Sequence, residues 1–261
     1  MPDQRELVHM NDSPPSRTLE DVAAEGRRLA MAAHDNDLRL RLLGGVAIWC
    51  HCPSARVPPL KRDYGDADFV GRANDRKRIA AFMDEEGYEA DRMFNALHGA
   101  TRLNFHDRAR GRPIDVLLDR FTMAHELDLR DSASGDGLTI SLADLLMTKL
   151  QVVSINEKDV KDLLAILVDH GFGPEDIQLD RILDVTRNDW GLEHTIHGSL
   201  ATLDQMLGQF ALEPGHADRV RERIGELTRA LDAAPKGAKW KMRARVGERV
   251  KWYEEPEEAR T

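Results

Sequence analysis

Two aspartates one residue apart, in the run Asp66-Ala67-Asp68-Phe69-Val70, constrain this chain more than any other feature. The alternation predicts a short strand over 62–70, on which Asp66 and Asp68 share a face. Neighbouring carboxylates repel, and each resists ionisation in the presence of the other. A divalent cation between them removes that cost. A solvated acidic edge strand would tolerate them without one, so the pair alone decides nothing.

What flanks the pair narrows the reading. Upstream, Leu40-Arg41-Leu42-Leu43 reads as a strand that meets Gly44-Gly45, and Val46-Ala47-Ile48-Trp49-Cys50 follows as a buried helix. Glycines at a strand-to-helix junction permit close backbone approach, and the open amides of a first helical turn favour an anion such as phosphate. The same junction also serves as a tight turn with no ligand. Downstream, Arg112 to Asp119 reads as another strand in which Asp115 sits among apolar neighbours, an expensive place for an unpaired carboxylate. Asp119 is expected at its solvated end.

In this order, Gly44-Gly45, Asp66-x-Asp68 and Asp115 on a later strand resemble the nucleotidyltransferase fold of the polymerase-beta superfamily. Arg62, four residues before Asp66, then Lys149 and the helical run Lys158-Asp159-Val160-Lys161-Asp162, are similar to the abortive-infection type of bacterial nucleotidyltransferase. Some proteins of that type are toxins of toxin–antitoxin pairs. The likeness spans about residues 38–170. The spacer between Gly45 and Asp66 is longer than in the compact family pattern, and the second glycine, often serine in the family, is Gly45 here.

The resemblance implies an α+β fold, a small mixed β-sheet flanked by helices, followed by a C-terminal helical region. It implies two Mg2+ ions on Asp66, Asp68 and Asp115, and a nucleoside triphosphate held by Gly44, Gly45, Arg62, Lys149 and Lys158. Asp159 and Asp162 would orient the basic groups. The reaction would move a nucleoside monophosphate to an acceptor hydroxyl and release pyrophosphate. The acceptor could be RNA such as a tRNA end, a protein, or a small molecule as in antibiotic-modifying adenylyltransferases, and an antitoxin protein could be a partner. A non-catalytic nucleotide- or RNA-binding module on the same scaffold is the other class. From the residues alone, Lys61 and Arg62 can touch phosphates or pair with Asp63 and Asp66. Lys149 can equally be a lysine that buries its stem and keeps its head in water.

The remaining segments set the organisation. Residues 1–17 read as a mobile lead-in, 18–170 as the nucleotidyltransferase domain and 174–261 as a helical domain beyond Gly171-Phe172-Gly173-Pro174. Thr18 is expected to cap the first helix, and Ser141 to cap a helix carrying Lys149. Tyr88 to His106 reads as one or two strands with a turn near His98-Gly99. Lys158 and Asp162, four apart, are expected to share a helix face, with Asp159 pointing away. The net charge of −9 gives no general attraction to nucleic acid, so any such binding must be local. The basic, aromatic stretch 239–253 is the local candidate; returning to an acidic face of this chain or of a second copy would use the same residues. Cys50 and Cys52 flank His51 too closely for a disulfide scaffold and read as reduced thiols. No apolar run reaches membrane-helix length, and a cytoplasmic protein with no membrane partner is expected.

Overall fold

The computed structural model describes residues 17–255; the expectation for residues 1–16 lies outside the described residues. In chain order the elements are α1 (Val22–Asp35), β1 (Leu40–Leu43), α2 (Gly44–His51), β2 (Ala67–Gly71), α3 (Arg76–Glu85), β3 (Glu89–Ala90), α4 (Arg92–His98), β4 (Arg102–Asp107) and β5 (Arg112–Leu118). Then come β6 (Arg120–Thr122), β7 (Glu126–Asp128), α5 (Arg130–Ala133), α6 (Leu142–Leu150), α7 (Glu157–Asp169), α8 (Leu179–Thr186), α9 (Trp190–Met206), α10 (His216–Ala233) and α11 (Ala238–Val246). The fold is α+β: a small mixed sheet flanked by helices, followed by a helical region.

The sheet runs β1-β2-β5-β4-β3, with β2 and β5 parallel and the other pairs antiparallel. Its two faces differ by the period-two rule. Ala67, Phe69, Leu103, Phe105, Ile114, Val116 and Leu118 are buried on one face. Asp68, Asn104 and Asp115 alternate with them and belong to the other. α1 lies very close to the apolar face: a Cβ at Gly26 would meet Val46 Cγ1 at 2.9 Å, Ala67 Cβ at 3.1 Å and Leu42 Cδ2 at 3.2 Å. Gly71 repeats the device, where a Cβ would stand 2.5 Å from Ile79 Cδ1 on α3. Missing side chains thus let two helices seat on the strand that carries Asp68.

The helical region shares its interior with the sheet. Ile182, Leu192, Ile196, Leu200, Leu203, Val220, Leu227 and Leu231 are buried in the same apolar cluster as the sheet residues and α6–α7. The Gly171–Pro174 turn is crossed by this core, and it carries its own bridge between Phe172 and Ile177. Arg181 Nε on α8 donates to buried Asp144 on α6 at 2.9 Å, a charge-assisted link across the same junction. The tryptophans of the C-terminal stretch face inward onto α9: Trp240 Nε1 donates to Glu193 at 3.0 Å and Trp252 Nε1 to Thr195 at 3.1 Å. Among the described residues no helix is long and apolar enough to cross a membrane.

Several local expectations change. Asp21, not Thr18, caps α1, its carboxylate accepting from Ala24 N at 2.7 Å, while Thr18 is buried. The acidic strand begins at Ala67, so Asp66 stands just before it. Between Tyr88 and His106 a helix, α4, interrupts the strands, started by Asp91 accepting from Phe94 N at 2.9 Å. Asp119 ends β5 with a left-handed φ of 64° and accepts from Arg72 Nε at 2.7 Å, so it is ion-paired as well as terminal. Ser141 caps α6 as expected, accepting from Asp144 N at 3.1 Å.

Gly26→Val should cost about 1–3 kcal/mol, because the added methyls have no space between α1 and the sheet. A denaturant midpoint equal to wild type would show that α1 is not seated this closely.

Candidate functional site

The parallel pairing of β2 with β5 sets Asp68 directly opposite Asp115. Register partners in a parallel pair present their side chains to the same face, so the two carboxylates are neighbours. Asp66 is exposed at the strand entrance and adds its charge from there. Asp68 records the crowding: its carboxyl is raised to about 7 from 3.8 by withdrawal from water, and further by Asp66 and Asp115, against the opposing pull of Lys149 and Arg102.

Asp115 is closed on itself by cations and amides. Arg102 donates to both of its oxygens, Nε at 3.0 Å and Nη2 at 2.5 Å, and Asn104 Nδ2 donates at 2.8 Å. Asn104 is the register partner of Asp115 on β4, and Arg102 lies two residues before it on the same face. Neither residue was singled out from the sequence. The alternation Arg102-Leu103-Asn104-Phe105 carried the signal, but it becomes legible only once β4 is known to lie beside β5.

The glycine pair touches the acidic strand. Gly44 has a φ of +69°, a left-handed conformation suited to glycine, and a Cβ there would fall 2.9 Å from Asp68 Oδ2. Leu43, the residue before α2, makes no side-chain cap bond to the amides of the first turn. Gly45 has a different duty. A Cβ there would stand 1.9 Å from Arg62 Nη2, so the guanidinium occupies the space that a side chain would need.

Arg62 is held in place from three sides. Its Nε and Nη2 each donate to Asp162 at 2.9 Å, its Nη1 donates to the Asp63 carbonyl at 3.2 Å, and its guanidinium lies over the Tyr64 ring at 4.3 Å. Lys149 Nζ lies 2.9 Å from the same Asp162 and 3.1 Å from Asp159. Burial pulls the lysine pKa down, but Asp162 and Asp159 outweigh it and leave the pKa raised, so Lys149 is a cation. Asp159 also belongs to the capping box of α7: Asn156 Oδ1 accepts from Asp159 N at 3.1 Å, and Asn156 N donates back to the Asp159 carboxylate. The cap thus fixes where Asp159 and, one turn later, Asp162 present themselves.

The structure therefore gathers the named residues into two groups. Gly44, Asp66, Asp68 and Asp115 lie around the start of β2 and its pairing with β5, and Gly45, Arg62, Lys149, Asp159 and Asp162 form a half-buried charge network behind the glycine turn. Lys158 differs from expectation. It is exposed in the first turn of α7, and Asp162 pairs with Arg62 and Lys149 in its place. Asp162 faces inward because the apolar stripe of α7 is buried and carries it along. Arg62 pairs with Asp162, not with Asp63 or Asp66.

The donor set, carboxylates only, is that of a hard divalent cation, and the missing side chain of Gly44 leaves room for the Asp68 carboxylate against the turn. Among the described residues no three His, Cys, Asp or Glu side chains converge closely enough to hold an ion as they stand. Asp115 is committed instead to Arg102 and Asn104. The residues fit the cation chemically, with a guanidinium on the third donor. Cys52, by contrast, is fully buried, and burial pushes its thiol far up, so it is an inert core residue.

No family model matches the chain, and no curated protein matches it. Solved structures similar to it include three nucleotide-transferase or resistance proteins. One is the lincosamide antibiotic adenylyltransferase LnuA in its lincomycin-bound form, with 13% identity over 52% of this chain and 90% of that one, at a TM-score of 0.37. Another is the antibiotic-resistance factor ANT(2'')-Ia in solution, with 15% identity over 67% of this chain and 95% of that one, at 0.38. The third is an antigenic nucleotidyltransferase-like protein from Paracoccidioides brasiliensis, with 15% identity over 85% of this chain and 96% of that one, at 0.39. At such low scores, function has to be inferred from the geometry of the site.

Two outcomes follow from that geometry. Gly45→Ser should displace Arg62 from Asp162 and destabilise the fold by about 2–4 kcal/mol. In an Arg62→Ala background the same substitution should cost much less, a non-additivity that a double-mutant cycle in urea would read. The raised Asp68 carboxyl makes a second expectation. Between pH 4 and 7 the folded protein keeps a proton that the unfolded chain has lost, so stability falls as pH rises through that window. Asp68→Asn should flatten that slope and raise the stability of the metal-free protein at pH 8 by roughly 2–4 kcal/mol. A variant whose pH profile retains the wild-type slope would rule this out.

Proposed function

We propose that this protein is a metal-dependent nucleotidyltransferase, moving a nucleoside monophosphate from a nucleoside triphosphate to an acceptor hydroxyl with release of pyrophosphate. The observation that carries this is the register pairing of Asp68 with Asp115 beside the uncapped Gly44–Gly45 turn. Carboxylates that cannot all ionise comfortably, next to first-turn amides that receive no side-chain cap bond, suit a phosphate ester brought in with a divalent cation.

Divalent cations, when bound, would neutralise charge on the phosphates and polarise the reacting oxygens. Asp66, Asp68 and Asp115 are the residues that would hold them. The amides of Gly44 and Gly45 cradle the triphosphate tail. Arg62 and Lys149, balanced by Asp162 and Asp159, brace the glycine turn on that side. Exposed Lys158 can reach the distal phosphates from the start of α7. The acceptor oxygen bonds to the α-phosphorus as the bond to the β-phosphate oxygen breaks, and pyrophosphate departs. The acceptor hydroxyl gives up its proton to solvent water. The acceptor is a hydroxyl of RNA, of protein or of a small molecule; the first two would suit a toxin restrained by an antitoxin protein.

Incubation with each of four labelled triphosphates, Mg2+ and total cell extract tests the reading and sorts the acceptor by the fraction that takes up label. Asp66→Asn and Asp68→Asn should each reduce transfer to background while circular dichroism stays unchanged. Full transfer by either variant would refute the assignment.

A further inference from the structure

The third carboxylate of the cleft is shut. Both Asp115 oxygens accept from Arg102 in a two-pronged pair, and Oδ1 also accepts from Asn104. A guanidinium seated there supplies, from within the chain, the positive charge that Asp66, Asp68 and Asp115 together require.

We propose that Arg102 is the resident counter-ion of this acidic cluster and a latch on Asp115, opened when the phosphate chain of a nucleotide draws the guanidinium away. This rests on the metal-dependent transfer reading above.

Three observations distinguish Arg102 from the other arginine of the site. First, the Arg102 side chain is 39% exposed while its partner is 19% exposed, so the arginine can swing toward solvent and the aspartate stays. Arg62 is only 14% exposed on an aspartate that is 2% exposed, which is a fixed structural pair. Second, Arg102 leans on an exposed element, which Asn95 ties to the Asn104 backbone on β4. Its guanidinium lies 5.8 Å from the Phe94 ring on α4, a helix with no buried side chain that leaves Met93 and Leu97 largely exposed. Third, Asn104 still holds Asp115 Oδ1 once Arg102 departs, so the carboxylate would keep its aim into the cleft. The guanidinium fork matches phosphate as well as carboxylate, which gives it a second position of comparable geometry. While it sits on Asp115 it competes with any divalent cation for the same two oxygens.

The test is Mn2+ binding to the nucleotide-free protein, followed by electron paramagnetic resonance. Arg102→Gln should tighten Mn2+ about tenfold, the order expected when a competing charge-assisted pair is removed. The gain should vanish in Arg102→Gln with Asp115→Asn. Should the glutamine variant not fold, Arg102→Lys, which loses the two-pronged grip but keeps the charge, should still tighten Mn2+ severalfold. Unchanged Mn2+ affinity in the folded variant would overturn the latch and leave the transferase reading standing. Absence of Mn2+ binding from both wild type and variants would overturn the two together.

Discussion

One strand pairing governs this molecule: β2 lies parallel to β5 in the register that sets Asp68 against Asp115. A shift of one residue would turn Asp115 into the apolar layer with Ile114 and Val116, where a carboxylate has no partner. The apolar face therefore enforces the acidic one. Ala67, Phe69, Ile114 and Val116 can be buried beneath α1 and α3 in this register only, and the aspartates are carried opposite each other as a consequence.

Placing like charges together has to be balanced, and the chain does so with two cationic systems of different character. Behind the glycine turn, Arg62, Lys149, Asp159 and Asp162 share hydrogen bonds and charge in a half-buried network. Breaking any member would strand a charge, which is costly in such a setting. The network joins the segment before β2 to α6 and α7, so it also acts as a brace for the glycine turn. On the open side, Arg102 answers Asp115 from an exposed position beside α4. The first system suits permanence and the second suits exchange with a charged substrate.

Gly45 shows how a family pattern and a particular chain can part. Serine is frequent at that position in the family that the sequence resembles, yet here the space belongs to Arg62 Nη2. The longer spacer before Asp66 brings Arg62 and Tyr64 back over the turn, where the ring supports the guanidinium. The turn thus presents backbone and a neighbouring arginine, with no hydroxyl of its own.

Much of the layout was legible in the residues: the Gly-Gly junction, the later part of the acidic strand, the strand of Asp115, the Ser141-capped helix α6, helix α7 and the helical end of the chain. Each rests on local periodicity, caps or turn chemistry, which the chain carries within a few neighbours. Helix α4 was not legible, because Asp91 can cap a seven-residue helix only when β3 and β4 hold its ends; by itself so short a segment cannot offset nucleation. Nor was the partner of Asp162. Helical spacing offered Lys158, whereas packing of α7 against its neighbours turned the carboxylate inward to Arg62, a hundred residues earlier, and to Lys149. The guardianship of Asp115 by Arg102 and Asn104 required knowing which strand lies beside β5. Charge type and local structure are properties of the amino-acid order itself. Which charges meet is decided by long-range strand order and helix rotation, because Coulomb and hydrogen-bond terms act over a few ångströms of space, however far apart the residues stand in the chain.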